Sequence, residues 1–425
     1  MKIAKASLVS PDHNFWYGFV AIAISTFILA YSARFGQVSV LAYYALWLPL
    51  VLVDYRHSLG NYTRFYWIIA FGLFACLSMF WSAAPGVTAR AGVQYFSHIV
   101  CALIAARTMN VRTMALGVLA GVCLVILYSL AFGGYHYDPL DGEYSFVGAF
   151  SSKNQLGFFA SLGIYFAFAC IFVLGERGLA RILAVIGAGL SAYALIASQS
   201  ATSIIATAAT LGVMIGLSLI LMFAPSTRKA FLAAGIVLAL GVAFVGLNFG
   251  GMDLLLGAFG KDATLTGRTY LWAEGLAAAR QSPIVGVGYY GYWVQGFSEA
   301  ERLWEEFYIG SRSGFHFHNT YIEVLVELGF IGLLLASLII VRVPVGHLWR
   351  LLEDRGDAAS HVMFGIAFML LVRSFFEVDV IHPYVIGSFL LYYAAGLLAA
   401  SKSTRSRLAF SPAPPDLQLH MRHAR

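Results

Sequence analysis

RTMALGVLAGVCLVILYSLAF, residues 112–132, decides the fold. After Arg112 it runs to Phe132 without a charged side chain. A helix of about 20 residues is long enough to cross the roughly 30 Å hydrocarbon core of a bilayer. Eleven further runs read the same way: 15–33, 37–53, 65–81, 92–106, 154–174, 180–198, 201–224, 230–250, 319–341, 360–376 and 383–399. The chain is 60% hydrophobic and 11% charged. That excludes an ordinary soluble domain, and a membrane β-barrel would show short alternating segments instead. The expectation is an all-α, polytopic membrane protein of about twelve transmembrane helices. Residues 1–400 form its single domain, and 401–425 a basic cytoplasmic tail. The first run reads as a retained anchor, with no small-residue cleavage site after it.

Charge sets the orientation. With the N terminus inside, the inner segments hold eighteen of the 27 Lys and Arg residues, spread evenly over the short loops. Both termini are then cytoplasmic. The net charge of +6 reflects this asymmetry, and no nucleic-acid partner follows from it. Cys76, Cys101, Cys123 and Cys170 all fall in spans and read as small apolar packing residues.

One outward loop, 251–318, is far longer than the others, and long loops in compact proteins tend to be functional. It is too aromatic to be disordered. Thr266 is placed to cap a helix from Gly267 to Arg280, with Leu271, Trp272, Leu276 and Ala279 on one face. Pro283 ends it, and VGVGYYGYW follows as a Gly-rich turn. A second outer loop, 133–153, carries Asp138, Asp141 and Glu143.

Outward-facing cations are few, so each is informative. Arg268, at a helix start, and Lys153, at the start of a span, both suit a phosphate. Each also reads as an interfacial anchor. His318, in the string HFHNTY, suits a general base because its pKa lies near ambient pH. It also reads as an interfacial His bonded to backbone. Asn319 or Tyr321 would orient it or touch a sugar. His316 and His318 form an H-x-H pair whose nearest third metal ligand by sequence is Glu323. Arg373, Glu377 and Asp379 form a charged knot, with an Arg373–Glu377 pair at i,i+4 as its structural reading. Tyr289, Tyr290, Tyr292 and Trp293 read as a sugar-stacking surface or an interface belt. There is no Walker A loop and no Asp-x-Asp motif, so a nucleotide-sugar donor is not expected.

Several strings, in order, carry a resemblance: LSMFWSAAPGVTAR (77–90), SSKNQLG (151–157), SQSATS (198–203), TGRTYLW with SPIVGVGYYGYW, and HNTYIEVLVELGFIG (318–332). Together they resemble the O-antigen ligase and polymerase superfamily of bacterial membrane glycosyltransferases. The resemblance implies an oligosaccharide donor on undecaprenyl pyrophosphate at the outer leaflet of the cytoplasmic membrane, with the active site on the periplasmic face. It implies His318 as base and Arg268 as pyrophosphate contact. Lys153, Asn154, Arg90, Asn319, Tyr321 and Arg373 would bind substrate. It implies inversion by a single displacement, with no metal and no cofactor. The acceptor would be a glycan or glycolipid, in a setting of membrane lipid. Ligases often carry an Arg where SQSATS stands here. SKNQLG and LTGRTYLW look closer to exopolysaccharide polymerases of the succinoglycan type. Polymerase is therefore favoured, with O-antigen ligase as the alternative. A lipid-glycan transporter would need more ionisable residues inside its spans.

Overall fold

In the computed structural model the described residues are all except 1–3, 61, 138–141, 143, 252–256, 258–266, 355 and 410–425. Thr266, Asp138, Asp141, Glu143 and the end of the basic tail lie outside them. Among the described residues nine helices are long and apolar enough to cross a membrane, and Ala358–Arg373 and Ile386–Ala400 are shorter apolar helices. The first of the nine, Phe15–Val53, is a hairpin. Gly36 sits at φ 63°, ψ −149° and Tyr31 is also non-helical. Tyr17 Oη donates to the Leu46 carbonyl, and Trp47 Nε1 donates to Ser25 Oγ at 3.0 Å. In a straight helix residues 17 and 46 would stand about 44 Å apart, at about 1.5 Å per residue. Counting the hairpin as two gives the twelve segments expected from the sequence.

Basic side chains close one end of the bundle. Arg112 grips Glu176 with two bonds, at 2.5 and 2.8 Å. Arg107 Nε donates to the His57 carbonyl at 2.6 Å, and Arg228 Nε to that of Phe223 at 2.9 Å. At the opposite end a two-stranded antiparallel hairpin, Gly134–Tyr137 with Tyr144–Gly148, leads into the helix starting at Lys153.

The long loop builds a small core of its own. Its helices Arg268–Ala279 and Ser298–Glu306 bury Leu271, Ala279, Leu303 and Trp304 against Tyr292, Phe317 and Val326. The first helix begins at Arg268 after Gly267, which adopts φ 80°. Its buried face is Leu271, Gly275 and Ala279, whereas Leu276 is exposed. Tyr289 and Tyr292 are buried, so they form neither a sugar platform nor an interface belt. Tyr289 instead donates its hydroxyl to the Ile381 carbonyl at 2.6 Å.

This loop plugs a break in a membrane helix. Thr320–Glu353 is interrupted at Gly329, φ 61° and ψ −164°. A helix break strands backbone donors and acceptors, which lipid cannot satisfy. Here the segment 283–288 satisfies them. Val287 N and Gly288 N donate to the carbonyls of Val326 (3.1 Å) and Glu327 (2.8 Å). Phe330 N and Ile331 N donate to those of Pro283 (2.8 Å) and Ile284 (3.2 Å). A Cβ on Gly329 would meet the Ile284 backbone at 2.3 Å, so backbone-to-backbone packing requires glycine there. The break comes eleven residues after His318, in the helix that His318 leads into.

Candidate functional site

The site assembles around the carboxylate of Glu377, which lies just past the end of Ala358–Arg373 and is 5% exposed. Arg268 Nη2 donates to its Oε1 at 2.7 Å, and Asn154 Nδ2 to the same oxygen at 2.8 Å. His318 Nδ1 stands 3.3 Å from Oε2. Arg268 also donates from Nη1 to the Phe376 carbonyl at 2.9 Å. Three positions far apart in sequence thus meet on one buried anion.

Each partner is positioned by its own element. Arg268 is the first residue of its helix, and Asn154 the second of Lys153–Phe168. Asn154 Oδ1 accepts from Ser200 Oγ at 2.8 Å, at the N-cap of Ala201–Ile220. His318 stands in a left-handed conformation, φ 51°, an uncommon state for a non-glycine residue. The next residue, Asn319, caps Thr320–Glu353 by accepting from Tyr321 N (2.9 Å) and Ile322 N (3.1 Å). Asn319 Nδ2 also donates to the Phe375 carbonyl at 3.0 Å, and Thr320 Oγ1 to that of Glu377 at 2.7 Å. These bonds tie the His318 turn to the Glu377 turn. On the other side, Phe317 N donates to Glu323 Oε2 at 2.7 Å, and the Phe317 carbonyl accepts from Trp272 Nε1 at 2.9 Å.

Electrostatics follow from this geometry. Burial pushes the Glu377 carboxyl up, but the Arg268 guanidinium, foremost, and the hydrogen bond from His318 hold it well below the usual carboxylate range. An ionised carboxylate is acceptor-only. His318 Nδ1 is therefore the donor in this contact, and in the neutral form of the ring the lone pair stands on Nε2. Burial, reinforced by His318, pushes His316 well below the ordinary His value. Burial takes His382 down to about 4.

The sequence-derived candidates separate by position. Arg268, Asn154 and His318 converge on Glu377. Asn319 and Tyr321 support the turn, Tyr321 by accepting from Ser374 Oγ at 3.1 Å. Lys153 is half-buried at the start of the helix that carries Asn154. Arg90 is exposed on Pro85–Thr108, and no described contact joins it to the cluster. Arg373 is 1% exposed and does not pair with the Glu377 side chain. Its Nε donates to Asp379 Oδ2 at 2.6 Å, its Nη1 to Ser203 Oγ at 2.9 Å, and its guanidinium lies 4.3 Å from the Phe158 ring centroid. The expected i,i+4 pair fails because the helix stops at Arg373 and the chain turns. Arg302 and Arg312 are engaged within the loop, by Glu274 and Glu306 and by Glu301 respectively. Among the described residues His316, His318 and Glu377 form one group able to hold a metal ion, and Glu323 is not part of it. Sequence reasoning saw Glu377 as one member of a charged knot and missed it as the hub.

Residues 186–337 match the family model described as O-Antigen ligase. That stretch contains Arg268 and His318 and ends before Glu377. Over 418 residues the chain is 60% identical to the exopolysaccharide production protein ExoQ of Rhizobium meliloti (strain 1021). The likeness spans 98% of this chain and 96% of that protein.

Proposed function

The chain belongs to the O-antigen ligase and polymerase superfamily, and from that premise we propose that it polymerises an exopolysaccharide. The donor is an undecaprenyl-pyrophosphate-linked oligosaccharide, and the acceptor hydroxyl belongs to a second lipid-linked glycan. The observation that carries this reading is the buried Glu377 carboxylate shared by Arg268 and His318.

The reaction is a single inverting displacement that needs no metal and no nucleotide sugar. His318 Nε2 takes the proton of the acceptor hydroxyl. The hydroxyl oxygen bonds to the donor's anomeric carbon as the bond from that carbon to the pyrophosphate oxygen breaks. Undecaprenyl pyrophosphate leaves with the electron pair. Glu377 orients the imidazole through Nδ1 and stabilises the imidazolium that forms, which then returns its proton to water. Arg268 has five N–H groups and spends two on Glu377 and Phe376. No other described residue engages the remaining three, and they serve the charge that develops on the leaving group. Lys153, at the start of the helix that carries Asn154, supplies further positive charge toward the phosphates.

The test is a purified protein given lipid-linked repeat units and no lipid A–core. A polymerase builds a ladder of longer lipid-linked chains, because donor and acceptor are the same kind of molecule. A protein that stays idle until core is added, and then glycosylates it, is a ligase. That second reading draws on the description of the matched family model, whereas the description of the relative favours polymer production.

The site faces the periplasm in this reading, both termini face the cytoplasm, and the protein sits in the bacterial inner membrane. The separation of Arg107, Arg112 and Arg228 at one end of the bundle from the Glu377 site at the other supports it. Ser298 and Ser226 are both exposed. A membrane-impermeant maleimide should label a cysteine placed at Ser298 in intact spheroplasts and miss one placed at Ser226. The reverse pattern would put the site on the cytoplasmic face and remove the outer-leaflet donor.

A further inference from the structure

We infer that His316, His318 and Glu377 also form a binding site for a borderline transition-metal ion such as Zn²⁺, Co²⁺ or Ni²⁺, and that the bound ion switches the enzyme off. The inhibitory part rests on the reading of His318 as the base.

The three side chains each offer one donor atom, and the donors lie within 4.8 Å of one another. A tetrahedral ion about 2.0–2.1 Å from its ligands holds them about 3.3 Å apart. His318 Nδ1 and Glu377 Oε2 already stand at 3.3 Å, and the imidazole of His316 is packed beside that of His318, with ring centroids 4.3 Å apart. Small ring rotations close the set.

The backbone beneath is fixed. Phe317, between the two histidines, is fully buried, and both its N–H and its carbonyl are bonded. The Glu377 carbonyl is held by Thr320. Two imidazoles with one carboxylate select zinc-like ions over Mg²⁺ or Ca²⁺, which prefer all-oxygen sets.

Inhibition follows from the tautomer. A metal on His318 Nδ1 takes the nitrogen that now carries the proton, and the proton moves to Nε2. No proton leaves the ring, but the lone pair on Nε2 is gone. The ion also takes the Glu377 oxygen that oriented the imidazole. One binding event removes both parts of the base.

The experiment uses the purified full-length protein in the ladder assay with Zn²⁺ as probe. After treatment with a chelator, turnover should stand at or above its starting level. Saturating zinc should then lower it by roughly 10²–10⁴, as loss of the base would, and renewed chelation should restore it. Co²⁺ added to the resting protein should give the visible ligand-field bands of a four-coordinate site. His316 Nδ1 accepts from the His318 backbone N–H at 3.1 Å, and His316→Gln, which keeps an acceptor there, should retain turnover. It should need more zinc by at least the roughly 10–100-fold that losing even an outer-shell partner costs. Unchanged zinc sensitivity in His316→Gln, or the absence of cobalt bands in the wild type, overturns the site. If zinc is inert while His318→Ala is inactive, the metal site falls and the base stands. Turnover that vanishes on chelation and returns with zinc overturns the inhibitory role and the metal-free chemistry together.

Discussion

Replacing His318 by alanine should slow chain extension by about 10²–10⁴, the usual worth of a positioned general base. Binding of the lipid-linked donor should persist, because the cations facing the phosphates are untouched. The loss should appear in kcat, measured as the initial rate of ladder growth at saturating donor. Glu377→Gln tests the same unit from the other side. The side chain keeps its shape, but its amide can offer N–H groups to Nδ1. That would move the imidazole proton to Nε2 and abolish the lone pair. A loss in Glu377→Gln approaching that of His318→Ala is therefore expected, with donor binding again retained. A His318→Ala protein that turns over within a few-fold of the wild type would remove the imidazole from the chemistry.

Glu377 also marks where sequence reading stops. Arg268, Asn154 and His318 stand out in the sequence because polar and charged side chains are scarce in the outward loops. Their common partner does not stand out. Glu377 lies four residues beyond Arg373, and a continuing helix would pair the two. The helix stops at Arg373 instead, with the Ser374 N–H still bonded back to Leu370. The turn that follows sends Arg373 to Asp379 and Ser203, and frees Glu377 for Arg268. No spacing rule reaches across the 109 positions between Arg268 and Glu377.

The spans were legible for a simple reason. Length and apolar content report directly on the bilayer, and the interval between the runs 15–33 and 37–53 marked the turn that the structure places at Gly36. The break at Gly329 was not legible. ELGFIG lies inside a continuous apolar run, and a lone glycine is tolerated in many helices. Only the backbone of 283–288, arriving from the long loop, makes a break there stable. The buried Tyr289 and Tyr292 illustrate the same limit. An aromatic run has one composition whether it faces sugar, lipid or a core, and the loop's own hydrophobic cluster decided it.

Arg268→Ala should lower turnover by about 10²–10³, the cost of removing one preorganised donor from developing charge. Arg268→Lys should recover little. A lysine offers three donors on one nitrogen and cannot reach Phe376, Glu377 and a phosphate as a planar fork does. The structure gives Arg268 a second task, however, since it is also the counter-ion of a buried carboxylate. The two tasks differ in their pH dependence. Burial raises the Glu377 carboxyl and Arg268 is the foremost group lowering it, so the pKa must rise when the guanidinium is removed. Below that raised value the carboxyl is protonated and no longer orients His318, and raising the pH ionises it again. If Arg268 served only Glu377, the alanine variant would regain near-normal turnover in alkaline buffer. If Arg268 also stabilises the departing pyrophosphate, the deficit should persist at every pH, because no other described side chain occupies its place. The pH–rate profile of Arg268→Ala, measured beside the wild type with the same lipid-linked donor, distinguishes the two. Recovery at high pH would leave Arg268 as a positioning residue alone and pass the leaving-group role to Lys153.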